Sequence, residues 1–176
     1  GTALHDIARA HIKNSIKLTK YTKSEVLLAL IDTYKIPLPV IKRAIDFDDK
    51  YKNLMIYVND AIKYRMIPEQ ILYFSKLIFG TADAISALDD IERTGVLRIH
   101  DLKTGSTQAK MIQLENYAAL FCLNYKYKPK DLETELRIYQ SREVLCHNPD
   151  PKEFSEIMDQ YRTADRLVND ILMEDL

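Results

Sequence analysis

Apolar residues in the first third of the chain recur at helical spacing. Over about 2–18, Leu4, Ile7, Ala8, Ile12 and Ile16 share one face, and His5, Arg9, Lys13 and Lys17 form an adjacent row at four-residue intervals. Thr22 followed by Glu25 has the spacing of a capping box and predicts a second helix to about 34. Pro37 and Pro39 interrupt the pattern. An amphipathic helix is predicted over about 48–64, with Leu54, Tyr57, Val58 and Ile62 on its apolar face.

The periodicity changes after Pro68. Residues 71–79, 80–88 and 96–102 are rich in β-branched and aromatic side chains and lack helical spacing, which predicts three consecutive strands. The charged segment 89–95 reads as the turn joining the last two, giving an antiparallel meander. A helix over about 107–125 follows, then a strand at 134–141 with 143–147 as its hairpin partner. Asp150, Pro151 and Glu153 combine an N-cap, a first-turn proline and a capping-box acid, and open a final helix. The order predicts an α/β domain in which a small mixed sheet, a meander plus a further strand, is flanked by helices. Residues 1–67 form its helical part and 68–176 its core.

Composition narrows the options. A chain of 176 residues with 47% apolar content fits one domain, and four Gly and six Pro supply no linker. The apolar runs are too short to span a membrane, and the opening GTALH reads as a trimmed helix start without the pattern of a secretory leader. A soluble, cytoplasmic protein is expected. Cys122 and Cys146 lack metal-binding spacing and are expected to be buried free thiols. A formal charge of −1 excludes a strongly basic nucleic-acid binder, so any polyanion must be held by a local patch or by metal ions.

The candidate chemistry lies at the end of the third strand. Asp101 and Lys103 are two residues apart and project together, Leu102 points away, and Thr104 and Gly105 end the strand. A solvated ion pair is the plain reading of such a pair. Leu97 and Ile99 share the Asp101 face, however, so that face is expected to be buried, where charge costs free energy unless a partner such as a metal compensates. Asp83 follows Gly80 in a G-x-x-D pattern on the neighbouring strand; the glycine marks a bulge or a close backbone approach. Cleaving a phosphodiester needs an activated water and neutralised oxygens, which Mg²⁺ or Mn²⁺ on carboxylates supplies. Gln113 and Tyr117 share a helix face just past this strand and suit a phosphate or nucleotide contact, or plain surface and core roles. His5 alone reads as a packing or capping residue. Its basic row reads as a solvated face or a phosphate track. Glu69 is a further carboxylate of open use, and His11, His100 and His147 receive no role.

GTALH, GTAD, DLKTG and QLENY stand in an order that resembles RecB-like nucleases of the PD-(D/E)XK superfamily, over about residues 1–120. Within it the similarity is to phage-type exonucleases and CRISPR-associated adaptation nucleases. The resemblance implies a restriction-endonuclease-like core and a Mg²⁺- or Mn²⁺-dependent exonuclease acting on single-stranded or end-bearing DNA. It further implies His5, Asp83, Asp101 and the Leu102 carbonyl as metal ligands, Asp83, Asp101 and Lys103 as the catalytic set, and Gln113 with Tyr117 as substrate contacts. The iron–sulfur cysteines of some relatives are missing, so no cluster is expected. A recombination or replication protein is the implied partner, in a bacterial or phage-infected cell. The alternatives are a catalytically silent nucleic-acid-binding or assembly module that keeps the nuclease fold, and a helical protein-interaction domain.

Overall fold

The computed structural model describes residues 2–43 and 47–174. Its first four helices are α1 (Thr2–Lys13), α2 (Lys23–Asp32), α3 (Leu38–Arg43) and α4 (Phe47–Lys63). Strands β1 (Met66–Tyr73) and β2 (Phe79–Ser86), helix α5 (Leu88–Thr94) and strand β3 (Val96–Leu102) follow. Helix α6 (Ile112–Tyr125), strands β4 (Glu133–Gln140) and β5 (Glu143–His147), and helix α7 (Pro151–Glu174) complete the order. The sheet runs β1-β2-β3-β4-β5, antiparallel except for the β3–β4 pair, to which α6 provides the crossover. This is the α/β class and the helix-flanked mixed sheet that the pattern predicts.

The sheet is covered on both faces. Leu4, Ile7, Leu54, Tyr57 and Val58 pack with Ala84, Leu102 and Tyr139 on one side. Leu114, Ala118, Phe121 and Phe154 pack with Ile85, Leu97, Ile99, Leu136 and Ile138 on the other. Each fully buried Leu, Ile or Phe among them contributes about 2 kcal/mol of transfer free energy. Helix α6 is apolar on both sides because one meets the sheet and the other meets α7.

Local boundaries differ from the expectations for physical reasons. Helix α1 ends at Lys13, where Asn14 bonds the Ala10 carbonyl through its amide (2.8 Å) and Ser15 takes φ 54°, leaving Ile16 exposed. Thr22 does not cap α2: its hydroxyl donates to the Thr19 carbonyl (2.9 Å) and faces Tyr51. The segment after Pro37 is helical, with Pro39 tolerated in the first turn of α3. Strand β1 starts at Met66 and includes Pro68, which an edge strand accommodates. The expected strand at 71–79 contains the turn between β1 and β2.

The charged segment 89–95 is a helix, not a turn. Asp89 and Asp90 occupy its first turn, Ile91 is buried, and Gly95 closes it at φ 71°. Helix α6 begins at Ile112 rather than 107, because Gln140 holds the preceding loop: its amide donates to the Gly105 and Thr107 carbonyls (both 2.8 Å) and accepts from the Ala109 N–H (3.0 Å). Asp150 caps α7 through the Lys152 N–H (2.8 Å). Cys122 is buried, with its thiol pushed up to about 12 by desolvation; Cys146 is exposed on the edge strand β5, contrary to expectation. Among the described residues no helix is long and apolar enough to cross a membrane.

Candidate active site at the parting of two strands

The β2–β3 ladder pairs Ile85 with Ile99 and Ala84 with His100 and goes no further toward the end of β3. Beyond it the Leu102 N–H, freed from the ladder, donates to Asp83 Oδ2 at 3.0 Å. A carboxylate from one strand has replaced a backbone carbonyl, and the strands part around Asp83 and Asp101. Opposite Asp83, Glu69 interrupts the β1–β2 pairing with φ 51°, a left-handed conformation costing about 1 kcal/mol in a non-glycine residue. Its carboxylate binds Arg9 on α1 at 2.9 Å, one turn after His5. This contact fastens the helix that carries His5 to the broken point of the sheet and supplies a role for Glu69.

His5 therefore reaches the same notch. Its Nε2 lies 2.8 Å from the Leu102 carbonyl oxygen, where the ring N–H donates to it, and 3.3 Å from Asp83 Oδ2. A nitrogen, a carboxylate and a carbonyl converge, and ligating an ion through Nε2 would require the other ring tautomer, with the proton on Nδ1. On the other side of β3, Leu97, Ile99 and Asp101 point toward α6 as the alternation predicts, and all three are buried.

Lys103 Nζ lies 3.0 Å from Asp101 Oδ2 as an ion pair, yet that buried oxygen receives no aligned hydrogen bond. Nζ also donates to Gln113 Oε1 (2.9 Å), and Gln113 Nε2 to the Tyr117 hydroxyl (2.9 Å), so four of the singled-out residues form one chain. Gly80 makes this possible: a Cβ there would stand 2.8 Å from the Tyr117 ring, so the glycine marks a close approach of α6 to β2. Lys103 is aimed by the continuing ladder, its N–H donating to the Tyr139 carbonyl (3.0 Å), and by the Gln140-held loop.

The electrostatics favour a cation. Desolvation, then the neighbouring Asp83 charge, raises the Asp101 carboxyl above its ordinary range; Lys103 and His5 pull it back only in part. The Tyr57 phenol of α4, fully buried, is held well above its usual value by desolvation and by both carboxylates. A buried carboxylate, a second carboxylate, an imidazole and a carbonyl make a donor set suited to Mg²⁺ or Mn²⁺. The set is not closed: Asp101 leans toward Lys103, on the α6 side of the notch, while His5 and Asp83 meet on the α1 side.

Among the described residues, the trio of metal-ligating side chains whose donor atoms all lie within 4.8 Å of one another is a different one, Glu115, His147 and Glu153. Sequence reasoning missed it because 32 residues separate the first member from the second, and only the β5 and α7 placements join them. It also assigned nothing to His100, which is buried beside Tyr139 on the opposite face of β3. In comparison with known proteins, no family model, curated protein or solved structure matches the chain.

Proposed function

We propose that the chain is a metal-dependent deoxyribonuclease, an exonuclease that hydrolyses DNA phosphodiester bonds in recombination, repair or phage DNA processing. The observation that carries this reading is the crowding of carboxylate at the end of β3: Asp83 and Asp101 share the notch with the Lys103 ammonium and the His5 imidazole, and burial together with the Asp83 charge still holds the Asp101 carboxyl above its ordinary range. The ordered motifs that resemble RecB-like nucleases support it independently.

In this reading His5, Asp83, Asp101 and the Leu102 carbonyl hold Mg²⁺ or Mn²⁺. When bound, the ion lowers the pKa of a coordinated water and neutralises a non-bridging phosphate oxygen. Lys103, anchored on Asp101 and Gln113, orients the attacking water or offsets negative charge growing on the phosphate. Gln113 and Tyr117 present an amide and a phenol to the terminal nucleotide. Arg9 and Lys13 extend from His5 along α1, Lys17 follows beyond its end, and the three supply basic groups for the strand, which suits a chain of net charge −1. Asp101 gains stability from becoming a ligand, because the ion replaces the hydration that burial removed.

The test is degradation of end-labelled single-stranded DNA in Mg²⁺ or Mn²⁺ by the full chain and by Asp101→Ala and Lys103→Ala proteins of unchanged circular dichroism. Both variants should lose at least about 100-fold in rate. Equal rates in variants and parent would remove the enzymatic assignment, and DNA binding without cleavage by the parent would favour the silent binding module.

A further inference from the structure

We propose that Glu115, His147 and Glu153 form a second metal site, selective for a zinc-like transition ion and separate from the notch at the end of β3. The three come from different elements: Glu115 from the first turn of α6, His147 from the last position of β5 and Glu153 from the first turn of α7. Their donor atoms all lie within 4.8 Å of one another. His147 Nε2 stands 3.5 Å from Glu115 Oε1 and 3.6 Å from Glu153 Oε2.

Those spacings carry the argument. An N–H donating to a carboxylate closes to about 2.8 Å, and neither oxygen is that near. A tetrahedral zinc ion with bonds of about 2.1 Å sets its ligand atoms about 3.4 Å apart. The imidazole nitrogen thus sits from both carboxylates at the separation of ligands around an ion rather than of hydrogen-bond partners. One imidazole and two carboxylates also match the ligand chemistry of zinc better than the all-oxygen sets of Mg²⁺ and Ca²⁺. The side chains are 17%, 38% and 52% exposed for Glu115, His147 and Glu153, which leaves room for water as the fourth ligand.

The site lies on the back of the helix that serves the notch. Glu115 falls midway between Gln113 and Tyr117 in sequence, so the 100° step per residue points it away from the face they share. An ion there clamps the start of α7 and the end of the edge strand β5 onto α6. Its role is to hold that helix in place, and it does not depend on the nuclease reading.

The experiment uses the full chain carrying Asp83→Asn, which disables the proposed reaction centre, stripped with chelator and reloaded with zinc or cobalt. It should retain one zinc per chain after dialysis, give the visible absorption of tetrahedral Co²⁺, and gain about 5 °C in Tm with zinc in large excess over its Kd. Adding His147→Ala should abolish all three at unchanged circular dichroism. If that protein does not fold, Glu153→Gln, at an exposed position, should weaken zinc binding at least about 10-fold. No zinc retained by the Asp83→Asn protein would overturn the site, as would equal retention after His147→Ala or Glu153→Gln. Either result leaves the nuclease reading standing, since that is tested by Asp101 and Lys103.

Discussion

Strand β3 carries partly or fully buried charge on both faces, and the two faces handle it differently. On the α4 side Arg98 and Arg137 meet Glu135 and Asp60: Arg98 Nε is 3.4 Å from Glu135, Arg137 contacts Glu135 directly and Asp60 at 3.5 Å, and Tyr139 donates to Asp60 at 2.8 Å. Both guanidinium groups also lie over the Tyr64 ring, at 4.4 and 5.2 Å. Two cations answer two anions. At the end of the same strand, Asp83 and Asp101 are answered among the described residues by one permanent cation, Lys103, and by the His5 imidazole and the Leu102 N–H at Asp83. A balanced network ties a helix to a sheet, whereas an unbalanced one stores a demand for positive charge at one point. Burial of charge by itself therefore does not distinguish the two faces; its imbalance does.

The sharpest way to break this contrast is to remove a cation from the balanced side. Arg137→Leu leaves Asp60 and Glu135 undercompensated and should cost about 3 kcal/mol of stability in urea unfolding. DNA hydrolysis per folded molecule should be unchanged, the reverse of what Asp101→Ala does. A large activity loss in folded Arg137→Leu protein would show that the two faces are not separate.

A smaller effect follows from His100, whose ring is buried beside Arg137 and Arg98. Desolvation first, then those two charges, lowers its pKa to about 3, so it is neutral in the folded protein at any pH near 7. A depressed value means that stability is full above the unfolded value of about 6.5 and is lost as pH falls toward 3. Between pH 7 and pH 5 the loss from this residue should be about 2 kcal/mol. His100→Leu should remove that share of the acid limb; identical slopes for variant and parent would refute the burial of a neutral imidazole.

Gly80→Ala sharpens the other side. The new methyl group meets the Tyr117 ring and should cost about 1 kcal/mol, while displacing the Gln113–Tyr117 end of the chain that steadies Lys103. Hydrolysis should fall more than stability does, and Tyr117→Phe in place of the glycine change should affect activity with little loss of fold.

Much of the architecture was legible because alternation and helical spacing are local. The face shared by Leu97, Ile99 and Asp101 followed from parity alone, and so did the joint projection of Asp101 and Lys103. What escaped were features set by tertiary partners. The 89–95 helix is short and its apolar signal is the single buried Ile91. The break at Glu69 depends on Arg9 from a distant helix, and the loop ahead of α6 depends on Gln140. His5 could not be joined to Asp83 by spacing, since 78 residues separate them; only the docking of α1 on β1 brings them to 3.3 Å.

The central claim is that the notch binds a divalent cation through its surplus carboxylate. The direct measurement is Mn²⁺ binding, read from loss of the free-ion electron paramagnetic resonance signal, in full-length His147→Ala protein with and without Asp101→Asn. The account predicts one bound ion in the first protein and at least about 10-fold weaker binding in the second. Equal affinities in the two, at equal fold, would contradict it.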